Sequence, residues 1–177
     1  MNKAVPGTFY FVRDDFFTDF PDPMLMQNKE TIHGQPHRRP CFFAFEDPKT
    51  GLIWLIPISS QITKYRVYQQ KKIARYGRCE TILFGEVLGH QKAFLIQNMF
   101  PVTEQYIANQ YMDSLTNAPV KVDGAFEKQL TKTALQVLAK VRIHMKLVFP
   151  DILAIEQMLL EKMPTEIPSN SVNLPQL

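Results

Sequence analysis

Two serines close an apolar run and a lysine follows soon after, in the segment Ile56-Pro57-Ile58-Ser59-Ser60-Gln61-Ile62-Thr63-Lys64. Hydroxyls can hold the non-bridging oxygens of a phosphodiester, and an ammonium adds a fixed positive charge with three donors. On residue types alone, Ser59-Ser60 is a turn or helix cap and Lys64 a surface charge, and that is the simpler reading. Lys64, however, opens the most distinctive stretch of the chain. Thr63–Arg78 carries Lys64, Arg66, Lys71, Lys72, Arg75 and Arg78 without one acidic residue, interleaved with Tyr65, Tyr68 and Tyr76. A helix that is merely solvated usually mixes signs for i,i+4 support. One-sign charge with tyrosines between suits a surface that tracks phosphates and stacks unpaired bases. The chain has 20 Lys+Arg against 17 Asp+Glu, a net charge of +3, so these six cations exceed the whole positive excess. The remainder is slightly acidic.

Other chemistries find little support. His33 and His37 are four apart but fall in a proline-containing loop, while His90 and His144 lie in other elements. No carboxylate cluster accompanies them, so no metal site is expected. No P-loop, G-x-G-x-x-G or G-x-S-x-G occurs, which removes NTPase, dinucleotide-binding and α/β-hydrolase readings, and no cofactor is implied. Cys41 and Cys79 are too few for a disulfide framework, and Cys41, opening an apolar strand, reads as a small buried hydrophobe. The start, MNKAVPGTFYFVRDDFF, lacks a secretory pattern, and no apolar stretch reaches a membrane span. The expected location is the cytoplasm.

The elements that must position these residues follow from periodicity. The 177 residues are 45% hydrophobic and 21% charged, enough for one core and against overall disorder. Thr8–Arg13 reads as a strand, followed by a short helix carrying Phe16, Phe17 and Phe20. Residues 22–40 read as a long loop. Cys41–Glu46 and Leu52–Ile58 form a hairpin across Asp47-Pro48-Lys49-Thr50-Gly51, with Pro57 marking a strand edge or end. Thr81–Leu88 and Lys92–Asn98 read as two more strands. From Asp123 the period turns helical, through Phe126, Leu130, Ala134, Val137, Val141 and Met145, and a last helix follows Pro150. The expected fold is α+β: a mostly antiparallel sheet of about five or six strands with long helices at the C-terminus. One domain spans 1–163, and 164–177 is a polar, proline-containing tail.

Four features recur together: the opening FYFVRDDFF, the hairpin RPCFFAFEDPKTGLIWLIPISS, the later Asn98–Pro101 (NMFP), and the C-terminal helix near FEKQL. In these the chain resembles the toxins of type III toxin–antitoxin systems, the ToxN/AbiQ/CptN group of endoribonucleases, nearest CptN. The resemblance covers about Thr8 to Met163. Its most specific part is the hydrophobic-Pro-hydrophobic-Ser-Ser turn followed by Lys64.

The resemblance implies a strongly twisted, MazF/Kid-like sheet with flanking helices and metal-independent cleavage of single-stranded cellular or phage RNA. It also implies a small pseudoknotted antitoxin RNA, processed by the toxin, which inhibits it in a closed ring of alternating protein and RNA. Ser59 and Ser60 match the family's paired hydroxyls. The family's lysine follows the serine by two residues; here Gln61-Ile62-Thr63 intervene before Lys64, so an inserted turn, Thr63 or another group fills that role. An aromatic upstream of the hairpin in ToxN is replaced around His37-Arg38. With the 2′-hydroxyl as internal nucleophile the product is a 2′,3′-cyclic phosphate, with His37 or Lys64 as general base. Arg38, Arg39, Tyr65, Arg66, Tyr68, Lys71, Lys72, Arg75, Tyr76 and Arg78 are the expected RNA contacts. A non-catalytic RNA-binding module explains the basic segment equally, but leaves Ser59-Ser60 without a purpose.

Overall fold

The computed structural model describes residues 3–163 apart from His33, and leaves the side chains at 30–32 and 36 undescribed. The expected tail, 164–177, lies outside the described residues. The chain runs β1 (Phe9–Val12), α1 (Asp14–Asp19), β2 (Lys29–Ile32), β3 (Gln35–Arg38), β4 (Cys41–Glu46), β5 (Ile53–Ser59) and α2 (Ile62–Tyr76). It continues through β6 (Leu83–Val87), β7 (His90–Phe94), β8 (Phe100–Val102), β9 (Ile107–Gln110), α3 (Gly124–Arg142) and α4 (Ile152–Lys162).

Seven strands form one sheet in the order β6-β7-β5-β4-β1-β9, with β8 also paired to β5, and β2 and β3 form a separate ribbon. Every pairing among the described strands is antiparallel. The α+β class with flanking helices is therefore as the sequence predicts. β5 is the hub: it pairs with β4 along one edge and, along the other, with β8 at Ile53–Leu55 and then β7 at Ile58–Ser59. Pro57 does not end the strand. It sits where β5 changes partner, so its missing N–H costs no ladder bond on that edge, and its carbonyl accepts from Leu95 N at 3.0 Å.

Burial of aromatic side chains drives this arrangement. Phe9, Phe42, Phe43, Trp54 and Phe94 are fully buried, and Phe16 stacks on Phe100 at 5.3 Å. Helix α3 presents Leu130, Ala134, Val137 and Val141 to the core and is capped by Asp123, which accepts from Ala125 N and Phe126 N. A Cβ at Gly85 would lie 2.1 Å from the Phe126 ring, so any other residue there would have to displace that ring where β6 passes under α3. Arg142, at the end of α3, donates to Asp47 (2.9 Å) in the β4–β5 turn and to Glu156 (2.5 Å) on α4, joining three elements through largely buried carboxylates.

Four expectations need correction. Residues 22–40 contain the β2–β3 hairpin, whose polar sequences KETI and QPHR hide strand alternation. The sheet gains β9 and reaches seven strands. The strand expected over Lys92–Asn98 stops at Phe94, a tight turn at Ile96–Asn98 follows, and β8 restarts at Phe100. Met145 lies beyond α3, which ends at Arg142; His144, with a φ of 69°, turns the chain away.

Candidate active site

Two apolar strands deliver the site. β5 ends at Ser59, where the pairing Ser59↔Ala93 places β7 alongside. Alternation along β7 sets Phe94 in the core and brings Lys92, two residues back on the same face, to the end of β5. Lys92 Nζ donates to Ser60 Oγ at 2.5 Å. Ser59 is buried, and its Oγ accepts from Gln61 N at 3.2 Å, so it shapes the turn out of the sheet. Ile62 N donates to the Ser60 carbonyl, and α2 begins there. Arg39, also buried, donates from Nη1 to Ile58 O (2.8 Å) and from Nε to Gln27 O (3.2 Å), holding the end of β5 in place.

Ser59, Ser60 and Lys92 open onto a cleft of about 340 Å³ that also takes in His37, Arg38, His90, Phe11 and Tyr111. The β2–β3 hairpin brings His37 and Arg38, both exposed; β7 brings His90. Arg38 lies over the Phe11 ring at 5.4 Å, and Phe11 meets Tyr111 edge-on at 5.6 Å, making a partly exposed aromatic wall. No acidic residue lines this cleft among the described residues, and nowhere among them do three His, Cys, Asp or Glu side chains gather around a possible metal. A positive cleft with hydroxyls in its wall, and no acid among the described residues that line it, suits a phosphodiester. Two imidazoles beside it offer a proton acceptor and a proton donor. Cys41 takes no part: it is buried at the start of β4, between β5 and β1, where burial pushes its thiol up to about 12 despite the nearby Arg39.

The structure thus gathers Ser59, Ser60, His37 and Arg38 from the sequence-predicted residues and adds Lys92, His90, Tyr111 and Phe11. Thr63 and Lys64 do not line the cleft. They lie exposed on the first turn of α2, where Lys64 Nζ sits 5.5 Å from the Tyr65 ring and 6.0 Å from that of Tyr68. Arg66, Tyr68, Lys71, Arg75, Tyr76 and Arg78 are exposed, whereas Tyr65 is buried under the helix and Lys72 is half-buried. Arg39, expected to touch RNA, is spent on the framework. Lys92 was missed because its neighbourhood to Ser60 is a strand pairing across 32 residues. The one sequence signal was a lysine opening an apolar strand.

The fold defines an antiparallel-sheet α+β protein with a basic surface helix beside a cationic cleft. No protein-family model matches the chain, and no curated protein matches it in sequence. Among solved structures it is similar to AbiQ, described as a lactococcal anti-phage endoribonuclease belonging to the type III toxin–antitoxin system. The TM-score is 0.58 at 12% identity, over 88% of this chain and 98% of that one. At this identity the likeness is one of fold. No helix among the described residues is long and apolar enough to cross a membrane.

Proposed function

We propose that this chain is the endoribonuclease toxin of a type III toxin–antitoxin system, close to CptN within that group, and that it cleaves single-stranded RNA without a metal ion. One observation carries the reading: the Lys92 ammonium meets the Ser60 hydroxyl in a cleft that two imidazoles line and, among the described residues, no carboxylate. The AbiQ-like fold supports it independently.

Cleavage begins when an imidazole, His37 or His90, takes the proton of the ribose 2′-hydroxyl. The oxygen attacks the adjacent phosphorus, and negative charge builds on the non-bridging oxygens. Lys92 stabilises that charge at close range, and Ser60, which accepts from Lys92, keeps its own proton to donate to one of these oxygens. The second imidazole protonates the departing 5′-oxygen. The products are a 2′,3′-cyclic phosphate and a 5′-hydroxyl. Ser59 acts through the turn that presents Ser60, and Lys64 belongs with the RNA-tracking face of α2.

The proposed partner is a small repeat-encoded, pseudoknotted RNA that the enzyme cuts from its precursor and that then blocks the cleft in a closed protein–RNA ring. Cytoplasmic action follows from that partner. Incubating the purified protein with single-stranded RNA in excess EDTA tests the reading. Cleavage to cyclic-phosphate ends supports it. Bound but intact RNA would make the chain an RNA-binding module, and EDTA-sensitive cleavage would make it a metal-dependent nuclease.

A further inference from the structure

Helix α2 turns a stripe of Ile62, Tyr65, Gln69 and Lys72 toward the protein, and the stripe becomes polar at its C-terminal end. Gln69 is spent on a carbonyl, donating to Ile82 O at 3.1 Å. Lys72 is different. Its ammonium is half-buried and donates to Thr81 Oγ1 and Gln97 Oε1, each at 2.7 Å, with the Phe149 ring centroid 5.6 Å away. Among the described residues no carboxylate pairs with it, and burial holds its pKa below the ordinary lysine value. Taking a cation out of water without a counter-charge costs free energy, and neutral acceptors fix such a charge in place without cancelling it.

Lys72 lines a second cavity, of about 470 Å³, at the C-terminal end of α2. Arg78, Lys140 and Lys146 also line it, and the one acid among its described lining residues, Glu80, is already engaged by Lys140 and by Arg78 at 3.4 Å. Two aromatic rings are left open to solvent at this cavity: Tyr76 is 63% exposed and Phe149 48%. The wall is built rather than incidental. Gln97, 2% exposed, holds Lys72 with its side chain, accepts from Phe149 N at 2.8 Å and donates from its own N to Thr81 O at 3.1 Å.

We infer that this cavity binds one nucleotide of a single-stranded RNA, its base against Tyr76 and Phe149 and its phosphate at Lys72 and Arg78. The inference rests on the nuclease reading for the path of the strand. α2 leads from Ser60 to Tyr76 over 15 residues. At about 1.5 Å per residue that is roughly 22 Å, or about six stacked nucleotides at ~3.4 Å each. Exposed Lys64, Tyr68, Lys71 and Arg75 lie at helical spacing between the two ends. The volume falls within the range usual for small-ligand sites.

The test uses the full-length protein and a fluorescent ten-nucleotide RNA carrying 2′-O-methyl groups throughout, which cannot be cut by 2′-hydroxyl attack. Tyr76→Ala and Phe149→Ala should each weaken binding about fivefold or more, as expected for one lost base stack. Lys72→Met should flatten the log K against log[salt] slope by roughly 0.7, with a cooperative melt showing that the variant is folded. A 4-thiouridine placed about six nucleotides from the one that crosslinks in the Ser60 cleft should crosslink to Tyr76 or Phe149. Wild-type affinity in both aromatic variants, with crosslinks confined to the cleft, would overturn the inference. The probe is not cleaved, so the outcome does not depend on activity. Protein that binds it through Tyr76 and Phe149 yet leaves unmodified RNA intact in EDTA would sink the nuclease reading and leave the nucleotide site standing.

Discussion

Replacing Lys92 by methionine should separate chemistry from binding. The side chain keeps its length along β7 and loses only the ammonium that reaches Ser60 Oγ at 2.5 Å. A phosphate oxygen sharing that hydroxyl would lie about 4 Å or less from Nζ, where a unit charge is worth about 4 kcal/mol at an effective dielectric of 20. Much of that attraction already exists in the bound ground state. Only the part gained as the phosphorane forms slows the reaction, and removing one preorganised donor typically costs 10²–10³ in rate. Single-turnover cleavage at saturating protein should therefore fall by about two to three orders of magnitude, while RNA affinity drops by less than about tenfold. Lys64→Ala should do the opposite, weakening binding in a salt-dependent way with single-turnover cleavage within about threefold of wild type. No carboxylate among the described residues pairs with Lys92, so Lys92→Met should melt like the parent. If Lys92→Met cleaves normally and Lys64→Ala loses a hundredfold, the reasoning fails and the catalytic lysine is the one on α2.

Ser60→Ala should reduce cleavage about tenfold or more with unchanged melting, whereas Ser59→Ala, which removes a buried turn bond, should cost about 1 kcal/mol of stability; denaturant melts beside cleavage assays check both. The pKa of Asp47 is raised by burial but lowered more by Lys49 N and the Arg142 guanidinium, so its carboxyl sits below the ordinary aspartate value. A depressed folded-state pKa contributes stability above the unfolded value near 3.9 that is lost as pH falls through the folded one. The melting temperature should accordingly decline below about pH 4, and less steeply in Asp47→Asn. Gly85→Ala should destabilise by about 1–3 kcal/mol, because its methyl group meets the Phe126 ring; wild-type stability would show that the start of α3 yields freely.

The sequence made the sheet legible where burial writes a strong pattern. CFFAFE and LIWLIPI became β4 and β5 within a residue of the expected ends, and the αL residue Gly77 stops α2 straight after Tyr76. The β2–β3 ribbon was illegible because both strands are short and polar, yet it carries His37 and Arg38 into the cleft. Lysine spacing misled for a physical reason. Helix α2 starts two residues after Ser60 and swings Lys64 onto the tyrosine face, while the ammonium that reaches Ser60 arrives from β7. Chain proximity favoured one lysine and strand pairing supplied the other. The same holds for Pro57, whose place within β5 becomes intelligible only once the strand is seen to exchange β8 for β7.

The most direct test of the central claim is the chemistry of the cut ends. A single-stranded RNA cleaved by the purified protein in excess EDTA should yield a 2′,3′-cyclic phosphate and a 5′-hydroxyl by mass spectrometry. One 2′-deoxy residue at the cleaved position should abolish that cut and leave binding intact. Cleavage that persists at the deoxy position, or ends bearing a 5′-phosphate and 3′-hydroxyl, would contradict internal attack and with it the roles given to Ser60, Lys92 and the two histidines.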